Sequence, residues 1–242
     1  MPTIGPGITI GAGVTVTAGT VVVDNLQLYL DAGVSTSYGG TGQTWTDISG
    51  KNRNYSWTTT PSFTSSGSAS YFNTLGKTAT GPLATLFEVS NTGNYAVVIV
   101  CLQNTQTTNI AFSWPGTGAD PRGIQSHLAW SDGTVYWDQG GCCFSDTRTS
   151  VASGGTNTWN MWTYNRSSST NRQIWKNTTS LTTNTAAAAS LGLSANAAII
   201  NSIGVGVDWD ARLAAVLLYN NSLTTDHITQ NYNYFKARYG IA

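Results

Sequence analysis

Apolar positions recur along this 242-residue chain mostly with a period of two. In "LQLYLDAG", Leu26, Leu28 and Leu30 share one parity. In "NTWNMWTYNRS", Trp159, Met161 and Thr163 alternate against Asn160, Trp162 and Tyr164. Such alternation predicts strands that turn one face inward. "NYAVVIVCLQ" is apolar at both parities and predicts a central strand covered on both faces. "QTWTDISG" runs into a turn carried by "SGKNRN", and "NRQIWKNT", "AAIINSIGVGV" and "ARLAAVLLYN" add short strands between Gly, Asn and Ser turns. Spacing of this kind predicts an all-β sandwich. One segment, "SLTTDHITQNYNYFKARYG", has a helical period instead, with Ile228, Tyr232 and Phe235 on one face. Thr224 or Thr225 can cap its start, Asp226 sits in the first turn, Lys236 and Arg238 in the last, and Gly240 follows. These signals predict a single helix over residues 225–239.

The first 23 residues differ from the rest. "TIGPGITIGAGVTVTAGTVVV" has no charge, and Ile4, Ile8, Ile10, Val14 and Val16 share one parity among Thr and Gly. A strand without protective charge is sticky along its edge. Two readings stand: the first strand of the sandwich, or an arm that adds to the sheet of another subunit or a second copy of the chain. The second divides the chain into an assembly arm, 1–23, and a sandwich domain, 24–242.

Composition supports strands and removes several function classes. Thr, Ser and Asn make up about a third of the residues, 9% are charged, and Glu88 is the sole glutamate; such a chain is poor in helix formers. Formal net charge is zero and no basic cluster exceeds "KNR" at Lys51–Arg53. A nucleic-acid partner, which needs a positive footprint, is not expected. With no run of 18 apolar residues, membrane insertion is not expected either. The amino terminus shows neither the basic nor the apolar region of an export signal. Cys101, Cys142 and Cys143 do not make a disulfide framework. Cys101 reads as a small buried hydrophobe, and the adjacent pair is expected to stay unbridged, which suits folding in a reducing cytoplasm.

"LQLYLDAGVSTSYGGTGQTWTDISGKNRNYSW" resembles the opening of concanavalin A-like, laminin G-like domains: an apolar strand, Asp-Ala-Gly, then a Trp-x-Asp-x-Ser-Gly turn. "RLAAVLLYNNSLTTDHITQNYNYFKARYGI" resembles their close, a strand ending in Tyr, a short loop and a terminal helix. "WNMWTYNRSSSTNRQIWKNT" is similar to their intervening hairpin. The resemblance covers about residues 24–242 and implies a two-sheet jelly-roll sandwich with one C-terminal helix. "RGIQSHLAWSDGTVYWDQGG" and "TIGPGITIGAGVTV" are similar to segments of this domain in tailed-phage, cyanophage-type virion structural proteins. That implies a virion protein assembled in the host cytoplasm, a head decoration or small tail or fibre appendage. Its partners would be capsid or tail subunits, identical copies on the particle, and host-surface polysaccharide.

Candidate chemistry is sparse. Jelly-roll glycosidases use two carboxylates at fixed separation, and one glutamate cannot supply their usual Glu-x-Asp-x-x-Glu strand. No Gly-x-Ser-x-Gly elbow accompanies His127 or His227, and Cys142–Cys143 lacks the gap that lets two thiolates converge on zinc. No catalytic residue is expected. In "HLAWSDGTVYWDQGGCC", Trp130, Tyr136 and Trp137 alternate with Asp132 and Asp138 around a turn at Gly133. Aromatic faces with flanking carboxylates suit a sugar ring; equally, the aromatics can be core and the aspartates turn formers. "GVDWDAR" sets Asp208 and Asp210 at one parity, and because related domains hold calcium at the sandwich rim the two are candidate calcium ligands. The alternative there is a solvated turn with Arg212 as counter-charge. A free carbohydrate-binding lectin is the alternative to a virion protein, separated from it by the arm.

Overall fold

The computed structural model describes residues 19–83, 88–117, 122–193, 196–199 and 209–242. Sixteen strands and one helix are present among them. The elements used below are β1 (Leu26–Asp31), β5 (Tyr71–Asn73), β7 (Tyr95–Gln103), β8 (Phe112–Pro115), β9 (Arg122–His127), β10 (Thr134–Gln139), β11 (Arg148–Ala152), β12 (Trp159–Ser168), β13 (Asn171–Lys176), β14 (Thr179–Asn184), β16 (Ala211–Tyr219) and α1 (Thr225–Tyr239). They form two eight-stranded antiparallel sheets. In the first, β14, β13, β12, β7 and β16 lie side by side, and β16 pairs with both β1 and β5 along its far edge. In the second, β11, β10, β9 and β8 run in order from one edge. The fold is an all-β, concanavalin A-like jelly-roll sandwich with one C-terminal helix.

Two apolar layers explain the strand patterns. Between the sheets lie Leu28, Leu30, Val97, Ile99, Cys101, Trp162, Tyr164 and a set of fully buried tryptophans that includes Trp45, Trp57, Trp114 and Trp137. The opposite face of the first sheet, with Ala96, Val98, Val100 and Met161, is covered by Ile228, Tyr232, Phe235 and Tyr239 of α1. β7 therefore carries apolar residues at both parities because each face meets its own layer. Leu26 lies with the helix layer, not with Leu28 and Leu30, because the register shifts between Leu26 and Leu28. A bulge there changes which way the following side chains point.

The helix has the expected bounds. The Thr224 hydroxyl accepts from the His227 amide, and Gly240 closes the end at φ 62° with its amide donating to the Lys236 carbonyl. Arg238 does more than face the helix dipole. It reaches back across the chain and places Nη1 and Nη2 at 2.6 and 2.7 Å from the two carboxylate oxygens of Asp31 at the end of β1. Asp31 is fully buried and also accepts from the Tyr29 hydroxyl and the Gly33 amide. Gly33 has no room for a side chain: a Cβ would lie 2.2 Å from Arg238 Nη2 and from the Ser68 carbonyl oxygen. The Asp-Ala-Gly motif at the end of β1 and Arg238 in the last turn of α1 are thus two halves of one buried contact. Asp47, of the Trp-x-Asp-x-Ser-Gly turn, accepts from the amides of Tyr29, Ser49 and Arg53 and holds that turn against β1.

Ile4, Ile8, Ile10, Val14 and Val16 lie outside the described residues. The end of the same uncharged segment is docked. Val21 and Val22 are buried in the helix layer. The Val22 amide donates to Asn231 Oδ1, and its carbonyl accepts from the Tyr219 hydroxyl, which in turn accepts from Asn231 Nδ2.

Candidate functional site

β9, β10 and β11 present an outer face built by strict alternation. Val135 and Trp137 point between the sheets, so Tyr136 and Asp138 point outward. Cross-strand pairing sets His127 opposite Tyr136, Gln125 and Arg148 opposite Asp138, and Ser150 opposite Tyr136. Trp130 and Asp132 lie in the β9–β10 turn. Its tight shape is served by Gly133 at φ 80° and by the Thr134 amide donating to Asp132 Oδ1 at 2.8 Å.

The five residues expected to hold a sugar fall into two groups. Trp130, Asp132 and Tyr136 stay together at the surface. Trp130 meets Tyr136 edge to face with ring centroids 6.2 Å apart, and His127 packs against Trp130 at 4.7 Å. The Tyr136 hydroxyl donates to Asp132 Oδ2 at 2.6 Å. That bond holds Asp132 below the usual carboxylate range and pushes Tyr136 up. Trp137 and Asp138 are not available to a ligand. Trp137 is fully buried between the sheets, the consequence of its parity on β10. Asp138 is outward-facing yet fully covered by its neighbours. Arg148 Nε and Nη2 donate to its two oxygens at 2.5 and 2.7 Å, His127 Nε2 lies 3.5 Å away and Arg122 Nε 3.8 Å. Burial alone would raise the Asp138 carboxyl; the Arg148 hydrogen bonds, with His127, outweigh it and hold the group below the usual range. His127 Nδ1 donates to the Asn109 carbonyl, which fixes the ring.

Arg148 also lies over the Tyr136 ring, 4.4 Å from its centroid. Beyond it the surface opens into a groove of about 500 Å³ between β11 and β14, the neighbouring edge strands of the two sheets. Ser150, Thr182 and Thr183 supply hydroxyl groups, and Phe144 stands at the rim, 73% exposed. An exposed aromatic beside a hydroxyl-lined cleft offers one apolar platform and many weak polar partners. The loop that carries it is fastened to the first sheet: Asn184 Nδ2 donates to the carbonyls of Ser145 and Arg148, both at 2.8 Å. Sequence reasoning missed this groove. The one visible signal was Phe144 itself, a large apolar residue among Gly, Cys, Ser and Asp at a loop tip.

The same loop corrects the cysteine reading. Cys142 and Cys143 are joined to each other, and Cys101 is the free, buried thiol. Cys143 sits in the left-handed region at φ 79°. Cysteine usage therefore no longer argues for a reducing compartment. Burial pushes the Cys101 thiol well above its usual range, away from the reactive thiolate.

For calcium, Asp208 lies outside the described residues. Asp210 already has polar partners on both oxygens: Asn104 Nδ2 at 2.6 Å and the Thr105 hydroxyl at 3.0 Å. No cluster of three His, Cys, Asp or Glu side chains fit for a metal occurs among the described residues. No helix among them is long and apolar enough to cross a membrane.

No family model matches the chain, and no curated protein sequence matches it. Solved structures do share its fold. The binding domain of Paraclostridial Mosquitocidal Protein 1 superposes with a TM-score of 0.66 at 12% identity, over 88% of this chain and 53% of that one. The receptor-binding domain of a botulinum neurotoxin C/D mosaic serotype gives 0.64 at 12% identity, over 87% of this chain and 51% of that one. Trypanosoma rangeli sialidase, in complex with 2,3-difluorosialic acid, gives 0.63 at 13% identity, over 88% and 33%. The chain thus spans about a third to a half of the length of these proteins.

Proposed function

We propose that this chain is a non-enzymatic glycan-recognition sandwich displayed on a tailed-phage particle, with its uncharged N-terminal segment as the attachment arm. The observation that carries the recognition role is the continuous surface from Trp130 and Tyr136, across Arg148 and Ser150, into the hydroxyl-lined groove beneath Phe144. Sugar rings stack on aromatic faces and exchange hydroxyl hydrogen bonds with short polar side chains. The virion role is supported by the resemblance of the 122–141 segment and of the opening residues to phage structural proteins. Its assembly by β-augmentation follows from the uncharged, alternating pattern of the arm. The non-catalytic reading is supported by the state of the carboxylates. Asp138 is locked under Arg148, Asp132 is engaged by Tyr136, and Glu88 is exposed, 3.9 Å from Lys51.

The test is binding of the purified chain to host-surface polysaccharide, read by intrinsic tryptophan fluorescence and by co-sedimentation. Phe144→Ala should weaken binding at least tenfold while leaving the melting temperature unchanged, because the ring is exposed. Retention of full affinity in Phe144→Ala and in Trp130→Ala would overturn the site. Release of reducing ends by the wild-type chain would overturn the non-enzymatic reading.

A further inference from the structure

A second feature lies directly behind the groove, inside the sandwich. β12 directs Trp162 and Tyr164 between the sheets, and the same parity takes Arg166 inward at the end of the strand. Its cross-strand partners are Arg172 on β13 and Tyr95 on β7. Arg166 is 1% exposed and Arg172 is fully buried. Two guanidinium groups therefore sit side by side at one end of the core. Tyr95 donates to Gln139 Oε1 at 3.2 Å, which brings the end of β10 from the opposite sheet to the same place.

The polar groups gathered there do not balance. Arg166 Nε and Nη1, Arg172 Nε and Gln139 Nε2 are buried donors without a hydrogen-bond partner. Asn171 Oδ1 at the start of β13 is an unpartnered acceptor, and the Thr163 and Tyr164 hydroxyls of β12 are also buried without a partner. Arg172 directs its remaining nitrogens at backbone carbonyls of Ser145, Asp146 and Ala186, at 2.8 to 3.0 Å. The Asp146 side chain is exposed, near enough to act on Arg172 through space but not paired with it. No carboxylate forms an ion pair with either arginine among the described residues. Burial, then the Arg166 charge, hold Arg172 below its usual range, as expected for like charges confined together. Buried arginines are ordinarily paired, and buried donors are ordinarily satisfied.

We infer that this pair is a binding site for a small inorganic oxyanion, of the sulfate or phosphate class, enclosed between the sheets by Arg166, Arg172 and Gln139. One such ion supplies the missing negative charge and enough acceptors for the four orphaned donors, and guanidinium groups bind oxyanions through short charge-assisted bonds. Arg172 also holds the carbonyls of Ser145 and Ala186, which line the groove. The bound ion therefore braces the loop that presents Phe144. The inference does not depend on what the groove binds.

The experiment uses the whole chain, exchanged into a buffer whose only anion is a bulky sulfonate. Sodium sulfate and sodium phosphate are titrated at matched ionic strength while the melting temperature is followed. A site gives a rise of several degrees that saturates at low millimolar anion; general salting-out gives a rise that continues without saturation. Arg166→Met should remove the saturable part and keep the general part. No saturable phase in the wild type, or an unchanged one in Arg166→Met, would overturn the inference. Should Arg166→Met fail to fold, wild-type crystals grown in the sulfonate buffer and soaked in selenate decide the matter. An anomalous peak within hydrogen-bond reach of Arg166 and Arg172 is the expected result, and ordered water there with no peak refutes it.

Discussion

Replacing Arg238 by methionine should cost the fold about 3–5 kcal/mol, the usual penalty for leaving one member of a buried ion pair alone. Asp31 is 0% exposed at its side chain and Arg238 only 10%. Methionine fills much of the same volume over Tyr234 and Tyr239 but leaves the Asp31 carboxylate with the Tyr29 hydroxyl and Gly33 amide as its donors. For a domain of this size each kcal/mol corresponds to about 2–4 °C, so the melting temperature should fall by roughly 6–20 °C. Asp31→Asn should cost less, because Arg238 keeps some access to water. The double variant should lose less than the sum of the two, with a coupling of about 1 kcal/mol or more. Urea unfolding at pH 7, followed by tryptophan fluorescence and far-ultraviolet circular dichroism at low and high salt, measures all four corners. An exposed pair would be worth about 0–1 kcal/mol and would fade with salt. A loss below about 1 kcal/mol in Arg238→Met, or one that disappears at about 1 M salt, would show that the pair does not join the two ends of the chain as argued.

Acid should act through Asp138. Its carboxyl is held below the usual range in the folded chain. The stability it contributes is therefore present above the unfolded value of about 3.9 and is lost as pH falls through the lower folded value. In Arg148→Met burial dominates and the folded carboxyl rises, so the acid limb of melting temperature against pH should move to higher pH; an unmoved limb counts against the assignment. Two truncations should separate arm from core. On the proposed attachment role, deleting residues 2–18 should leave the melting temperature unchanged but abolish incorporation into a phage particle. Deleting 2–23 also removes the buried Val21 and Val22 and should cost about 3 kcal/mol or more. Equal stability of the two deletions, or normal incorporation of either, would contradict this division.

What the linear chain determined by itself were the features that local chemistry decides. Parity in "YAVVIVCLQ" and "WNMWTYNRSS" specified which residues turn inward, and the capping residues Thr224 and Gly240 bounded the helix. Both follow from backbone period and from the few residues that can satisfy a helix end. The site residues were legible only in part. Trp130, Asp132 and Tyr136 were found together because they are neighbours across one tight turn, whereas Trp137 and Asp138 share that turn's sequence but not its solvent. Which face of β10 meets the core depends on the sheet opposite, and the cover over Asp138 comes from Arg148 and His127 on different strands. The groove and the arginine pair were invisible for the same reason. The groove exists because two sheet edges, β11 and β14, run alongside each other without pairing into a backbone ladder. Arg166 and Arg172 become neighbours only when their hairpin is closed, and become buried only when the loop bearing Phe144 and the segment around Ala186 fold over them. Contacts of that kind join residues far apart in the chain, and their energy depends on desolvation that only the assembled sandwich creates.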